Sequence, residues 1–108
     1  MKIPLIPFVT WMWIAGITAV SAQDLGDKSK GRVFAQAICA ECHAIMPSET
    51  ASPRTDAATF KAIANTPGMT ELAIAVWLKT PHKLMPNLII GNDDMENVIA
   101  YIVSLRDK

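Results

Sequence analysis

The sequence predicts an all-α fold of about four helices. Apolar residues recur at three- and four-residue spacing in four blocks, no stretch alternates apolar with polar over a useful strand length, and Pro, Gly, Ser and Asn separate the blocks. The chain has 108 residues, 51% of them apolar, with ten basic and ten acidic side chains and a formal net charge of zero. That balance excludes a disordered acidic segment. It also offers no concentration of positive charge to neutralise phosphates, so no nucleic-acid partner is expected.

Residues 1–22 read as an export signal, with Lys2 as a short basic start, an uncharged run from Ile3 to Val20, and Val20-Ser21-Ala22 as a small-residue cleavage site. The run is long for a signal core and close to the lower limit for a membrane span, so retention as an anchor is the alternative. Both readings export the domain that follows. Residues 23–108 hold one more acidic than basic side chain. A domain of this size buries only about 60–65% of the surface its unfolded chain exposes, and two cysteines cannot form a disulfide framework. A bound cofactor would complete such a core.

The first helix is expected from Lys28 to Ala40, with Val33, Phe34, Ala37 and Ile38 on one face. Gly31 inside it costs about 1 kcal/mol relative to Ala, which close approach of another backbone would explain. A short second helix is expected from Ala57 to Ala64 behind Asp56 as cap, burying Phe60 and Ile63, before Pro67-Gly68 turns the chain. The third starts behind Thr70, carries Leu72, Ile74, Trp77 and Leu78, and stops at Pro81. The last starts between Gly91 and Asp93, with Asp93 and Glu96 spaced as a capping box, and buries Met95, Val98, Ile99, Ile102 and Leu105. The segments from His43 to Ser52 and from Thr80 to Ile90 are loops, where functional residues concentrate.

Cys39-Ala40-Glu41-Cys42-His43 is the C-x-x-C-H pattern of c-type haem attachment. Two thiols three residues apart on a helical turn share a face and can add to the two haem vinyl groups, while the adjoining His43 supplies the proximal nitrogen ligand. Covalent attachment suits an exported protein, for which a dissociated haem would be hard to replace. Two other chemistries compete for these residues. A thioredoxin-like dithiol wants a preceding strand and cysteines that open a helix, and a zinc site would need His82 to join Cys39, Cys42 and His43.

The sixth iron position separates an electron carrier from a haem that binds substrate. Met46 follows His43 by three residues, a reach of at most about 10 Å that cannot pass round the haem rim. Met69 sits in a turn, and Met95 lies on the apolar face of the last helix, where methionine is ordinarily core. Met85 stands in the irregular run Pro81-His82-Lys83-Leu84-Met85-Pro86-Asn87, with Pro86 fixing the backbone beyond it. Met85 is therefore the expected ligand, with His82 or an open position as alternatives. A His/Met pair raises the potential relative to two histidines.

With these residues in place the sequence resembles the class I c-type cytochromes, in particular the small exported bacterial monohaem members. Gly31, Phe34, Cys39, Cys42 and His43 carry the resemblance at one end. Trp77-Leu78, Pro81-His82, Met85-Pro86-Asn87 and the run from Val98 to Leu105 carry it at the other. Together these regions cover roughly half of residues 23–108. The resemblance implies the cytochrome c fold around one covalent haem c, with first and last helices crossing so that Gly31 and Phe34 meet Tyr101. It places Trp77 and Pro86 in the haem pocket, Trp77 either bonded to a propionate or simply buried against the ring. Lys79 and Lys83 are either steering charges for an acidic redox partner or ordinary solvated lysines. Family members commonly have a proline whose carbonyl accepts from the proximal histidine. Pro47 and Pro53 are the candidates here, while the 57–59 stretch offers no proline.

The expected function is one-electron transfer by a periplasmic, monomeric carrier between redox proteins, with no catalytic residue. Association with the inner membrane follows only if residues 1–22 are retained. The alternatives are a haem enzyme or gas sensor with a labile sixth ligand, and a haem subunit of a membrane electron-transfer complex.

Overall fold

The computed structural model describes residues 1–5, 7, 16, 26–82, 85–86 and 88–108. The export-signal segment lies largely outside the described residues, as does Lys83. Four helices follow in order, α1 Lys28–Ile38, α2 Phe60–Ala64, α3 Glu71–Lys79 and α4 Asn92–Ser104, and no strand occurs among the described residues. The all-α class therefore holds.

Helix α1 starts where the Asp27 carboxylate accepts from the Ser29 and Lys30 amides at 2.8 and 3.1 Å, using two of the four free donors of a helix start. Its buried residues are Gly31 and Ala35, with Phe34 half-buried. The expected apolar face was different. Val33 is 66% exposed, and Ala37 and Ile38 are also exposed. The inward side is chosen by contact with α4, and small residues permit that contact best. A Cβ at Gly31 would lie 1.9 Å from the Asn97 carbonyl oxygen and 2.9 Å from the Tyr101 Cβ. The costly glycine is thus explained by close approach of the α4 backbone at Asn97, with the Tyr101 side chain beside it as the resemblance implied. Gly26 repeats the contact with the Glu96 carbonyl, and the Asp27 amide donates to Asn97 Oδ1 at 2.8 Å, so the helix pair is tied at its open end.

Helix α2 begins three residues later than expected. Thr59 caps it by accepting from the Ala62 amide at 3.1 Å, whereas Asp56 is held by the Arg54 guanidinium at 3.1 and 3.2 Å. Helix α3 starts behind Thr70, whose hydroxyl accepts from Ala73, and ends before Pro81 as expected. Only Ile74 of its apolar residues is fully buried; Leu72 is 74% and Trp77 53% exposed. Helix α4 starts at Asn92 with Gly91 as cap and no side-chain cap bond. The expected Asp93 and Glu96 capping box is absent, because Asp93 already lies inside the first turn, where its charge suits the helix dipole.

The core joins Ala35, Phe60, Ile74, Val98, Tyr101 and Ile102 from all four helices. Within α4, Met95, Val98 and Ile102 are buried as expected, Tyr101 joins them, and Ile99 and Leu105 are half-buried.

Candidate functional site

The Cys39 to His43 run forms a turn directly after the last residue of α1. The Cys42 and His43 amides both donate to the Cys39 carbonyl, at 3.2 and 2.9 Å. The helix expected to reach Ala40 stops at Ile38, yet the bond from His43 to Cys39 preserves a helical step. Cys39 is buried, Cys42 half-buried, and both thiols are free. Burial, with the neighbouring Cys42 thiol adding, pushes the Cys39 thiol up to about 11. A dithiol catalyst needs a depressed thiol at a helix start. Here both cysteines follow a helix and Cys39 is pushed up, neither of which suits that chemistry.

His43 is oriented from two sides. Its Nδ1 donates to the Ala58 carbonyl at 2.6 Å, and its ring lies 5.6 Å from the Phe60 ring, which in turn meets Tyr101 at 6.3 Å. A carbonyl can only accept, so Nδ1 carries a proton and Nε2 is the nitrogen left to face a metal. The acceptor is neither Pro47 nor Pro53. It lies in the stretch that contains no proline, because the loop returns to the motif there, with the Phe60 amide donating to the Ala44 carbonyl at 2.9 Å. A backbone acceptor has no side-chain signature, so the sequence could not have revealed it.

Tyr101 closes the same region from α4. Its hydroxyl donates to the buried Ile45 carbonyl at 2.6 Å and lies 3.8 Å from the Met46 sulfur. Burial pushes its phenol above the ordinary range, Glu49 adding and Arg32 opposing.

Beyond α3, Trp77 and His82 meet edge to face at 5.4 Å, and His82 Nδ1 donates to the Thr80 carbonyl at 3.2 Å. The Met85 amide donates to the His82 carbonyl at 3.0 Å, so one turn carries both expected candidates for the sixth position. Met85 is half-buried and Pro86 exposed. Among the described residues no group of three or more His, Cys, Asp or Glu side chains converges, so Cys39, Cys42, His43 and His82 do not assemble a zinc cage.

The donor set fits a covalently held haem. It has two free thiols one turn apart, an adjoining imidazole with Nε2 available and its other nitrogen engaged, and a large indole whose surface the protein leaves half uncovered. The four-helix architecture is consistent with the cytochrome c fold. The chain is 27% identical over 93 residues to cytochrome c-552 of Bradyrhizobium diazoefficiens, an alignment spanning 86% of this chain and 88% of that protein. No protein-family model and no solved structure matches it.

Proposed function

We propose that the protein is an exported one-electron carrier, a monohaem c-type cytochrome with Cys39 and Cys42 as the attachment points, His43 as the proximal ligand and Met85 as the sixth. The observation that carries this reading is the His43 Nδ1 bond to Ala58, which presents Nε2 as a metal ligand beside two thiols. Similarity to cytochrome c-552 over most of both chains supports it. The haem supplies a reversible one-electron centre when bound. Around it His43 is held in one tautomer, Phe60 and Tyr101 exclude water from its inner side, and Trp77 offers an apolar surface. No side chain is asked to move a proton, so the reading needs no catalytic residue. Periplasmic location, a monomeric state and redox-protein partners belong to the same proposal. No helix among the described residues is long and apolar enough to cross a membrane.

The test is the visible spectrum of ferric and ferrous protein from an exporting host able to attach haem c, repeated for Met85→Ala. Low-spin wild type with the weak far-red band of sulfur bound to ferric iron, lost in Met85→Ala, is the expected result. A high-spin wild type that binds carbon monoxide readily would replace the carrier with an enzyme or sensor.

A further inference from the structure

The loop that carries Ala58 is fastened to residues 42–44 through four hydrogen bonds. The Arg54 amide donates to the Cys42 carbonyl at 3.2 Å, and the Ala44 amide to Ser52 Oγ at 3.0 Å. His43 Nδ1 donates to the Ala58 carbonyl at 2.6 Å, and the Phe60 amide to the Ala44 carbonyl at 2.9 Å. Apart from His43 itself, Ser52 is the only one of these partners that acts through its side chain. Ala44 is fully buried, so its amide requires a protein acceptor, and Ser52 supplies it from the loop. The intervening residues 53–56 are exposed, and residues 44–59 contain no helix or strand. Alanine at position 58 has none of the fixed φ that a proline would bring. The placement of its carbonyl therefore rests on the anchors at the two ends of the loop and on the turn between them, where the Ala57 amide donates to the Arg54 carbonyl at 3.1 Å.

We infer that Ser52 is a positioning residue for His43, holding the Ala58 carbonyl against Nδ1 through its bond to the Ala44 amide and so tuning the iron that His43 ligates. This rests on the proposed haem function. A carbonyl accepting from Nδ1 makes the imidazole a stronger donor to iron and fixes its plane. The stronger donor favours the ferric state. Loosening the loop weakens that bond and favours the ferrous state, which raises the reduction potential.

The test compares holoprotein carrying Ser52→Ala, Ser52→Thr and Thr70→Ala by spectroelectrochemical titration and thermal denaturation. Thr70→Ala removes the same kind of hydroxyl-to-amide bond from the cap of α3 and serves as the structural control. At the wild-type midpoint, Ser52→Ala should be several-fold more ferrous than ferric, Ser52→Thr should match wild type, and Thr70→Ala should lose stability with its midpoint unchanged. An unshifted Ser52→Ala midpoint overturns the inference, as does an equal shift in Thr70→Ala or a Ser52→Thr that behaves like Ser52→Ala.

If Ser52→Ala does not accumulate, proton exchange in wild-type holoprotein decides. The Ala44 amide and the His43 Nδ1 proton should exchange together, and an unprotected Ala44 amide beside a protected Nδ1 proton refutes the linkage. A wild type without haem is a failure of the functional reading instead. Loss of His43 Nδ1 protection in Ser52→Ala, read by NMR on that protein, then still decides the positioning role.

Discussion

Gly31→Ala offers the sharpest test of how this chain is assembled. The new Cβ would sit 1.9 Å from the Asn97 carbonyl oxygen and 2.9 Å from the Tyr101 Cβ, where ordinary contact starts at 3.4 Å. One obstacle is backbone and the other the first carbon of a buried side chain, so neither can rotate away. Relief requires α1 and α4 to part by about 1.5 Å, and even 0.5–1 Å of radial gap forfeits a quarter to a half of the dispersion well of each contact. Those contacts include Ala35, Val98 and Tyr101, all buried. Overpacking of this kind costs about 1–3 kcal/mol and occasionally more, and here the whole helix pair must move, which places the cost at about 3–4 kcal/mol. Alanine returns about 1 kcal/mol of helix propensity. The net loss is about 2–3 kcal/mol, equivalent to a fall in Tm of roughly 10–20 °C for a domain of this size. Thermal denaturation of the holoprotein followed by circular dichroism at neutral pH measures it. A Gly31→Ala variant within about 0.5 kcal/mol of wild type would show that the helices do not meet as described.

Two other predictions concern the core. Tyr101→Phe leaves the buried Ile45 carbonyl without its donor, so a loss of about 1–2 kcal/mol is expected in denaturant titrations. Because folding raises the Tyr101 phenol above its ordinary value of 10.0, its contribution is complete below that pH and is lost as pH rises through the folded value. Wild type should therefore lose stability above about pH 10 more steeply than Tyr101→Phe, and parallel alkaline limbs would contradict this. Val98→Ala, at a fully buried site, should cost about 2 kcal/mol, whereas Val33→Ala, at a 66% exposed site, should stay within about 0.5 kcal/mol. Equal losses in equilibrium unfolding would restore Val33 to the core face.

Much of this architecture was legible in local signals. Thr70 and Pro81 bracket α3 because a cap hydroxyl and a missing amide act within a few residues, and tertiary packing does not overrule them. The start of α2 was not legible. Asp56 is as good a cap as Thr59, and the choice fell to Thr59 because the Arg54 guanidinium occupies Asp56 while the backbone at 58–60 turns back to the motif. The inward face of α1 was misread for a related reason. Periodicity weighs bulky residues such as Val33, whereas close helix contact selects small ones, Gly31 and Ala35, which leave little hydrophobic signature.

The candidate site divides in the same way. By itself the sequence predicted the helical class and singled out the residues whose chemistry is their side chain: the thiols of Cys39 and Cys42, the imidazole of His43 and, as the candidate it favoured over His82, the thioether of Met85. The first three follow from residue identity and short-range spacing, and Met85 from elimination among the methionines. Tertiary structure alone decided what surrounds them: the Ala58 carbonyl on His43, the Ser52 hydroxyl on the Ala44 amide, and the Tyr101 hydroxyl on the Ile45 carbonyl. Each of these joins a backbone group to a partner distant along the chain. Every residue except proline carries the same amide and every residue the same carbonyl, so only the path of the chain selects which one is used.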